Sequence, residues 1–373
     1  MIGKRSPVTA ARPPSPAQGL AIILIIVIAI TPAFVGQFIR PGSGILPLSR
    51  EGLPGTLQNI GFYVSISLIF ALLALSFNLQ WGYTGLFNAG IAGFYLIGAY
   101  VAAFAITGPS PPIVIGGVTV YPGHLGGFSL PFVVGALLAM VAAGGTAAVV
   151  ALPALRLRAD YLAIATLAFA VILQVFARNL TSLTGGAIGV VLIPKPIVLL
   201  PPNEFRDRMI LVAIGAGLLL ALLLLLQFMA ESPWGRVLRA IREDEEAAMA
   251  LGKNAFRYKL QAFALGGAFI GLAGALFAST QGYLEPTSSF APSVTFSVWV
   301  MVIVGGSGNN RGAIIGAFLI YGLEWFSVQI KDYFQEIGDQ IFYFRLMVVG
   351  ILLIVLVVYR PQGILRETKR ILR

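Results

Sequence analysis

Apolar runs close to the length of a bilayer crossing recur from Leu20 to Tyr359, separated only by short polar breaks. A helix crossing a hydrocarbon layer of about 30 Å needs about 20 apolar residues. On that rule the sequence predicts spans at Leu20–Val35, Ile60–Leu79, Leu86–Ile106, Phe132–Leu152, Tyr161–Phe176, Ile210–Phe228, Leu260–Thr280, Val294–Val304, Ala313–Val328 and Phe342–Tyr359. The expected fold is therefore an all-α integral membrane protein of about ten transmembrane segments, one membrane domain over residues 1–373 with a charged loop at 232–259. Composition excludes the soluble alternative: 58% of residues are hydrophobic and 11% charged, against roughly a quarter charged in ordinary soluble domains.

Lys and Arg number 25 against 15 Asp and Glu, a balance that in a soluble chain would suggest nucleic acid. Here the basic residues lie between or beyond the apolar runs, as the positive-inside rule requires. Zinc-type spacings and ribonucleoprotein aromatic motifs are missing, so the charge is read as topology beside membrane lipid, with no nucleic-acid partner. Placing the loop between Phe228 and Leu260 in the cytoplasm puts seventeen of the 25 basic residues on that side and eight on the other. Both termini are then expected in the cytoplasm. Lys4, Arg5 and Arg12 before a short apolar run also describe a secretory signal peptide. A retained anchor is preferred, because the run continues through Phe34 without a small-x-small cleavage site. Cysteine is absent, so no disulfide framework or thiolate metal site is available.

The eighth segment, Val294–Val304, would rise only about 16 Å as a helix. It is either a half-helix followed by a re-entrant Gly305–Gly312 stretch, or a tilted span closed by a tight turn. Small residues recur at helical spacing, at Gly85, Ala89 and Gly93, at Gly90, Gly98 and Ala102, at Gly267 and Gly271, and at Gly312 and Gly316. Such stripes let helix backbones approach closely in lipid.

The text changes between Ser232 and Lys259. Ser232 followed by Pro233 makes a helix start, and Gly252 makes a stop. A single amphipathic helix is expected between them, with Val237, Ile241, Ala248 and Leu251 on one face and the four-apart pairs Arg239/Glu243 and Arg242/Glu246 on the other. Eleven charges fall on this stretch of an otherwise almost uncharged chain. A short helix of mixed charge suits docking into a partner's groove, whereas one lying on lipid would be more uniformly basic.

Glu246-Ala247-Ala248, three further residues and Gly252 resemble the cytoplasmic loop of ATP-binding-cassette import permeases. The stretch Arg239 to Asp244, with Tyr258-Lys259-Leu260, resembles the branched-chain amino acid branch of that family. So do Trp81-Gly82-Tyr83-Thr84-Gly85-Leu86-Phe87, Tyr161 through Leu167, and Leu183-Thr184-Gly185-Gly186 with Gly189. The chain departs from the pattern at Asn88 and Ile91, where relatives commonly carry Ser and His, and lacks an Ile-x-Leu-Pro ending after Gly252. The resemblance implies a type II-like permease bundle in the inner (plasma) membrane, paired with a second homologous permease subunit. It further implies two ATP-binding-cassette ATPase subunits on the cytoplasmic face, an extracytoplasmic solute-binding protein, and no cofactor. Arg239, Arg242, Glu246, Ala247, Ala248 and Gly252 would couple to the ATPase, with Val237 and Ile241 seated in it.

A translocation path is expected among the polar or flexible positions Gly82, Thr84, Gly85, Asn88, Thr184, Gly185 and Gly186, each of which reads equally well as packing or capping. Its solute could be a branched-chain amino acid, urea or a short amide. An ion-coupled carrier would keep ionisable groups deep in the membrane, and only Glu324 lies within a span, near the end expected outside. Catalysis is not expected: the one histidine, His124, falls in a loop, no base is placed for Ser307, and no phosphate-binding Gly-x-x-x-x-Gly-Lys-Ser/Thr loop exists.

Overall fold

The computed structural model describes residues 52–108, 113–115, 118–120, 125–197, 204–331, 340–360 and 362–367. The expected first segment, Leu20–Val35, and His124 lie outside them. The helices are α1 (Gly52–Thr84), α2 (Ile91–Ile106), α3 (Phe132–Ala154), α4 (Ala159–Asn179), α5 (Thr181–Thr184), α6 (Glu204–Glu231), α7 (Pro233–Glu243), α8 (Glu245–Ala250), α9 (Ala255–Gln281), α10 (Pro286–Ser289), α11 (Pro292–Gly305), α12 (Asn310–Lys331) and α13 (Gln340–Tyr359). Each of the nine later spans expected from the apolar runs is found as a helix. The all-α expectation needs one small correction. In the loop after α2, Ile113–Ile115 pairs antiparallel with Val118–Val120 in a two-stranded hairpin.

Boundaries shift where backbone chemistry overrides hydropathy. The span read from Leu86 starts as a helix only at Ile91, because Gly85 turns the chain with φ +73° and residues 85–90 are irregular. Gly85 and Ala89 therefore belong to no helical stripe. The short span is short in fact: α11 has 14 residues, a rise of about 21 Å. The tight-turn reading of 305–312 is the one realised. Gly306 N–H bonds to Val302 O at 2.9 Å and Asn309 N–H to Gly306 O at 3.2 Å, while the Asn309 carboxamide oxygen caps the N–H groups of Arg311 and Gly312. The longer irregular backbone lies at the other end of α11, in residues 282–285 and 290–291 on either side of α10.

Packing sorts the helices into a centre and a rim. In the most apolar windows of α1 and α9, 78% of residues are buried, against 17% in α4 and 28% in α6, which leaves residues such as Ile172, Phe176, Leu224 and Phe228 facing outward. An apolar outer face is what a lipid solvent demands. The centre is built on missing side chains. A Cβ at Gly98 would overlap the backbone of Gly271, one at Gly274 would stand 2.5 Å from Tyr95 O, and one at Gly271 would stand 2.6 Å from Ala139 O. Thus α2, α3 and α9 touch backbone to backbone. Gly305 and Gly312 do the same for α11 and α12, whose second partner is α1 through Tyr63, stacked on Tyr321 at 5.7 Å and donating to Phe318 O at 3.0 Å.

Gly98→Ala or Gly271→Ala should destabilise the purified protein by roughly 1–3 kcal/mol through overpacking. Gly145→Ala and Gly217→Ala, where an added Cβ meets nothing within 4 Å, should be neutral or gain up to about 1 kcal/mol from helix propensity. Thermal unfolding in detergent distinguishes the pairs; equal losses at all four positions would contradict the backbone-contact account.

Candidate coupling surface and helix breaks

The charged loop is two helices joined at an extended break. Ser232 starts α7 as expected: its Oγ accepts from Gly235 N–H at 3.4 Å and donates to Met229 O at 2.6 Å. Gly235 fits because a Cβ there would stand 2.5 Å from Met229 O. The expected single helix to Gly252 is interrupted at Asp244, whose backbone is extended at φ −156° and ψ 103° and whose carboxylate caps α8 through Ala247 N–H at 2.9 Å. Aspartate competes with helix by bonding its own backbone two or three residues on, and in the run Glu243–Glu246 it also relieves crowding of like charge. Gly252 closes α8 at φ +77°, with Gly252 N–H on Met249 O and Lys253 N–H on Ala248 O.

The break changes which side chains face outward. Ile241 and Ala248 are buried with Ala255, and Val237 packs on them, so Val237 and Ile241 hold the loop to the bundle and do not present a docking face. Leu251, expected on that same face, is 81% exposed, with Met249 half exposed beside it. Glu246, Ala247 and Gly252 are exposed as well, whereas Ala248 is not. The expected four-apart pairs give way to distant partners: Arg239 donates to Ala230 O at 2.6 Å, and Arg242 pairs with Glu367 at 2.8 Å and donates to Gly82 O. Lys259 pairs with Glu245. The result is an elbow anchored at its base, with Met249 and Leu251 exposed at its tip.

The seven path positions divide between opposite ends of the bundle. Gly82, Thr84, Gly85 and Asn88 lie near the elbow. A Cβ at Gly82 would stand 2.6 Å from Gly308 N, and Thr84 donates to Gln80 O. Asn88, fully buried, donates to Gln80 Oε1 at 2.9 Å and accepts from Gly90 N–H at 2.8 Å; Gln80 in turn donates to Phe263 O at 2.9 Å. Thr166 Oγ1 accepts from Ala89 N–H, Thr295 Oγ1 from Ala92 N–H, and Trp299 donates to Asn88 O. Thr184, Gly185 and Gly186 lie beyond the other end of α9, whose 27 residues extend about 40 Å. There Thr184 Oγ1 donates to Ala177 O at 2.6 Å, Gly185, Gly186 and Gly189 all have positive φ, and Val190 bridges Leu284. Glu285 follows that bridge. Burial pushes its carboxyl up, but hydrogen bonds from Ser288 and Thr287 outweigh it and hold the pKa at about 2.

Capping and packing account for the polar contacts of Thr84, Asn88, Thr184 and Gly186, while Gly82 O accepts from Arg242. Sequence reasoning missed Gln80, which bonds Asn88, Glu367, which pairs with Arg242, and the pair Asn78 and Asn310; Asn78, which bonds Asn310 at 2.9 Å and Gly308 N–H at 2.8 Å, is itself a signal, as carboxamides are out of place in an apolar span. Glu324 is ion-paired with Arg345 at 3.1 Å across α12 and α13. Among the described residues, no group of three His, Cys, Asp or Glu side chains could hold a metal ion.

Comparison with known proteins adds an independent line. Residues 59–357 match the family model of the branched-chain amino acid transport system permease component. The high-affinity branched-chain amino acid transport system permease protein LivM of Escherichia coli is 33% identical over 82% of this chain and 69% of its own length. A probable branched-chain amino acid transport permease protein LivM of Methanocaldococcus jannaschii is 28% identical over 80% of this chain and 91% of its own. A solved ABC transporter described as of metal-chelate type, in an inward-facing conformation, reaches a TM-score of 0.45 at 14% identity, covering 92% of this chain and 99% of that one. With the helical bundle, its elbow and this family match, the chain belongs to the branched-chain amino acid transport system permease family.

Proposed function

We propose that this chain is the permease subunit of an ATP-driven importer of leucine, isoleucine and valine in the inner membrane, with the loop 232–259 and both termini in the cytoplasm. It acts as one permease domain beside a second homologous permease, above two ATP-binding-cassette ATPases and below an extracytoplasmic binding protein. The observation that carries this reading is the elbow: a helix pair whose Ile241 and Ala248 are buried in its own base while Met249 and Leu251 stand bare at its tip. Exposed apolar side chains on a charged loop suit burial against a protein partner. The substrate class rests on family membership, with the LivM proteins of two organisms named for it.

Mechanically, the ATPase grips the tip and hydrolysis moves it. Glu246, Ala247 and Gly252 shape the gripped surface, and Ala248 anchors it. Arg239 and Arg242 stiffen the elbow from inside, so displacement of the tip tilts the helices it is fastened to and switches access of the path between sides. ATP binding and hydrolysis take place on the partner subunits.

Two outcomes are expected. Burying a leucine is worth about 1.5–3 kcal/mol, so Leu251→Ser should weaken ATPase retention by roughly tenfold or more with unfolding temperature unchanged, measured by titrating ATPase onto the permease in nanodiscs. The double variant Glu246→Arg, Gly252→Leu should abolish ATP-dependent leucine uptake in proteoliposomes at unaltered protein level. Undiminished uptake by that variant would reject the elbow as the coupling surface.

A further inference from the structure

Arg242 lies on the elbow, yet its guanidinium is turned away from the exposed tip and joins four separate stretches of chain. One Nη donates to Gly82 O at the end of α1. The other pairs at 2.8 Å with Glu367, in the segment after α13, and the two side chains are only 23% and 20% exposed. Glycines make room for the pair. A Cβ at Gly85 would stand 3.3 Å from Arg242 Cγ, and one at Gly308 would stand 2.9 Å from Glu367 Cδ and 3.2 Å from Arg242 Nη1. Gly308 belongs to the turn between α11 and α12, and its N–H is held by Asn78 of α1 at 2.8 Å.

The segment bearing Glu367 is itself fastened to that turn. Ile364 N–H bonds to Val304 O at 2.9 Å and Leu365 N–H to Gly305 O at 3.0 Å, and Asn309 donates to Arg366 O at 2.8 Å. A Cβ at Gly306 would stand 2.9 Å from Gln362 O. Residues 362–367 therefore form a strap across the foot of α11 and α12, and the strap ends on the elbow's arginine.

We infer that Arg242 and Glu367 form a transmission clasp, positioning residues that carry movement of the elbow to α1 and, through the 362–367 strap, to the α11–α12 turn. This rests on the reading of α7 and α8 as the ATPase dock. Arginine is needed because its planar fork bonds a carbonyl and a carboxylate together, which a lysine ammonium does not reproduce. The clasp makes no contribution to gripping the ATPase; it decides whether a gripped elbow moves the bundle.

The test uses the complete reconstituted complex with Glu367→Gln, Glu367→Arg, Arg242→Glu and the exchange Arg242→Glu, Glu367→Arg. Leucine transported per ATP hydrolysed is measured together with the amount of ATPase retained. Glu367→Gln keeps the side chain's shape and so guards against misfolding. Each single variant should retain the ATPase while transport per ATP falls by about tenfold, the scale of one charge-assisted bond, and the exchange should recover at least part of that loss. Native transport per ATP in both Glu367 variants, or loss of the ATPase from the Glu367→Arg complex, would overturn the clasp. Absence of any ATPase from the unaltered complex would instead remove the docking reading beneath it, a result visible before any variant is made.

Discussion

Backbone amide groups inside a bilayer have no water to bond to, and each one left unpaired costs several kcal/mol. That constraint explains where this bundle can be irregular. The break at residues 85–90 survives because Thr166, Asn88 and Thr295 accept the N–H groups of Ala89, Gly90 and Ala92, and Trp299 donates to Asn88 O. The break after α9 survives because Val190 pairs with Leu284 in both directions, at 3.1 and 2.7 Å, and Glu285 caps the turn that follows. The turn after α11 survives on Asn78, Asn309 and the strap at 362–367. Each departure from helix has its own set of polar side chains, whereas the buried Ser65, Ser76 and Thr280 bond the carbonyl four residues back within their own helices.

The same economy governs rigidity. Leucine packed on lipid gains little over leucine packed on leucine, so helices in a membrane hold together through close contact and hydrogen bonds. Here α2, α3 and α9 meet at Gly98, Gly271 and Gly267 with backbones in van der Waals contact, and α11 meets α12 at Gly305 and Gly312. These are two tight units. Between them runs α1, joined to the first through Gln80 and Phe263 and to the second through Asn78 and Asn310. Polar side chains take part in both of those joints, and at the second Gly82 also approaches the Gly308 backbone closely and Tyr63 stacks on Tyr321.

Much of this was legible in advance. Nine apolar runs from Ile60 onward became nine helices, since length and hydropathy alone decide a crossing, and the glycine stripes at Gly267, Gly271, Gly312 and Gly316 met neighbouring backbone as small residues in lipid should. Ser232 and Gly252 marked the two ends of the elbow because capping is local. What escaped was whatever depended on a distant partner. Arg242 has Glu246 four residues away, which an isolated helix would use, but the fold brings Glu367 and Gly82 to it from 125 and 160 residues away. Asp244 escaped for the opposite reason: its competing bond is local, to Ala247, and a periodicity argument over 20 residues averages such a bond out. At the expected path positions the structure shows breaks and caps of helix, since polarity and flexibility in a span signal a break in helix as readily as a route for solute.

The arrangement of joints bears on how such a bundle can move at all. A glycine seam resists shear, because sliding by a fraction of a turn drives a Cα or Cβ into backbone. A carboxamide joint has two rotatable bonds and alternative partners nearby, so it can re-form after a shift. If the elbow displaces Arg242, the force reaches Gly82 at the foot of α1 and Glu367 on the strap, and both contacts border the close approach of Gly82 to Gly308. On the clasp reading, α1 and the α11–α12 turn are displaced together at that point, and movement of α1 against the α2, α3 and α9 unit falls on the Gln80 joint to Phe263.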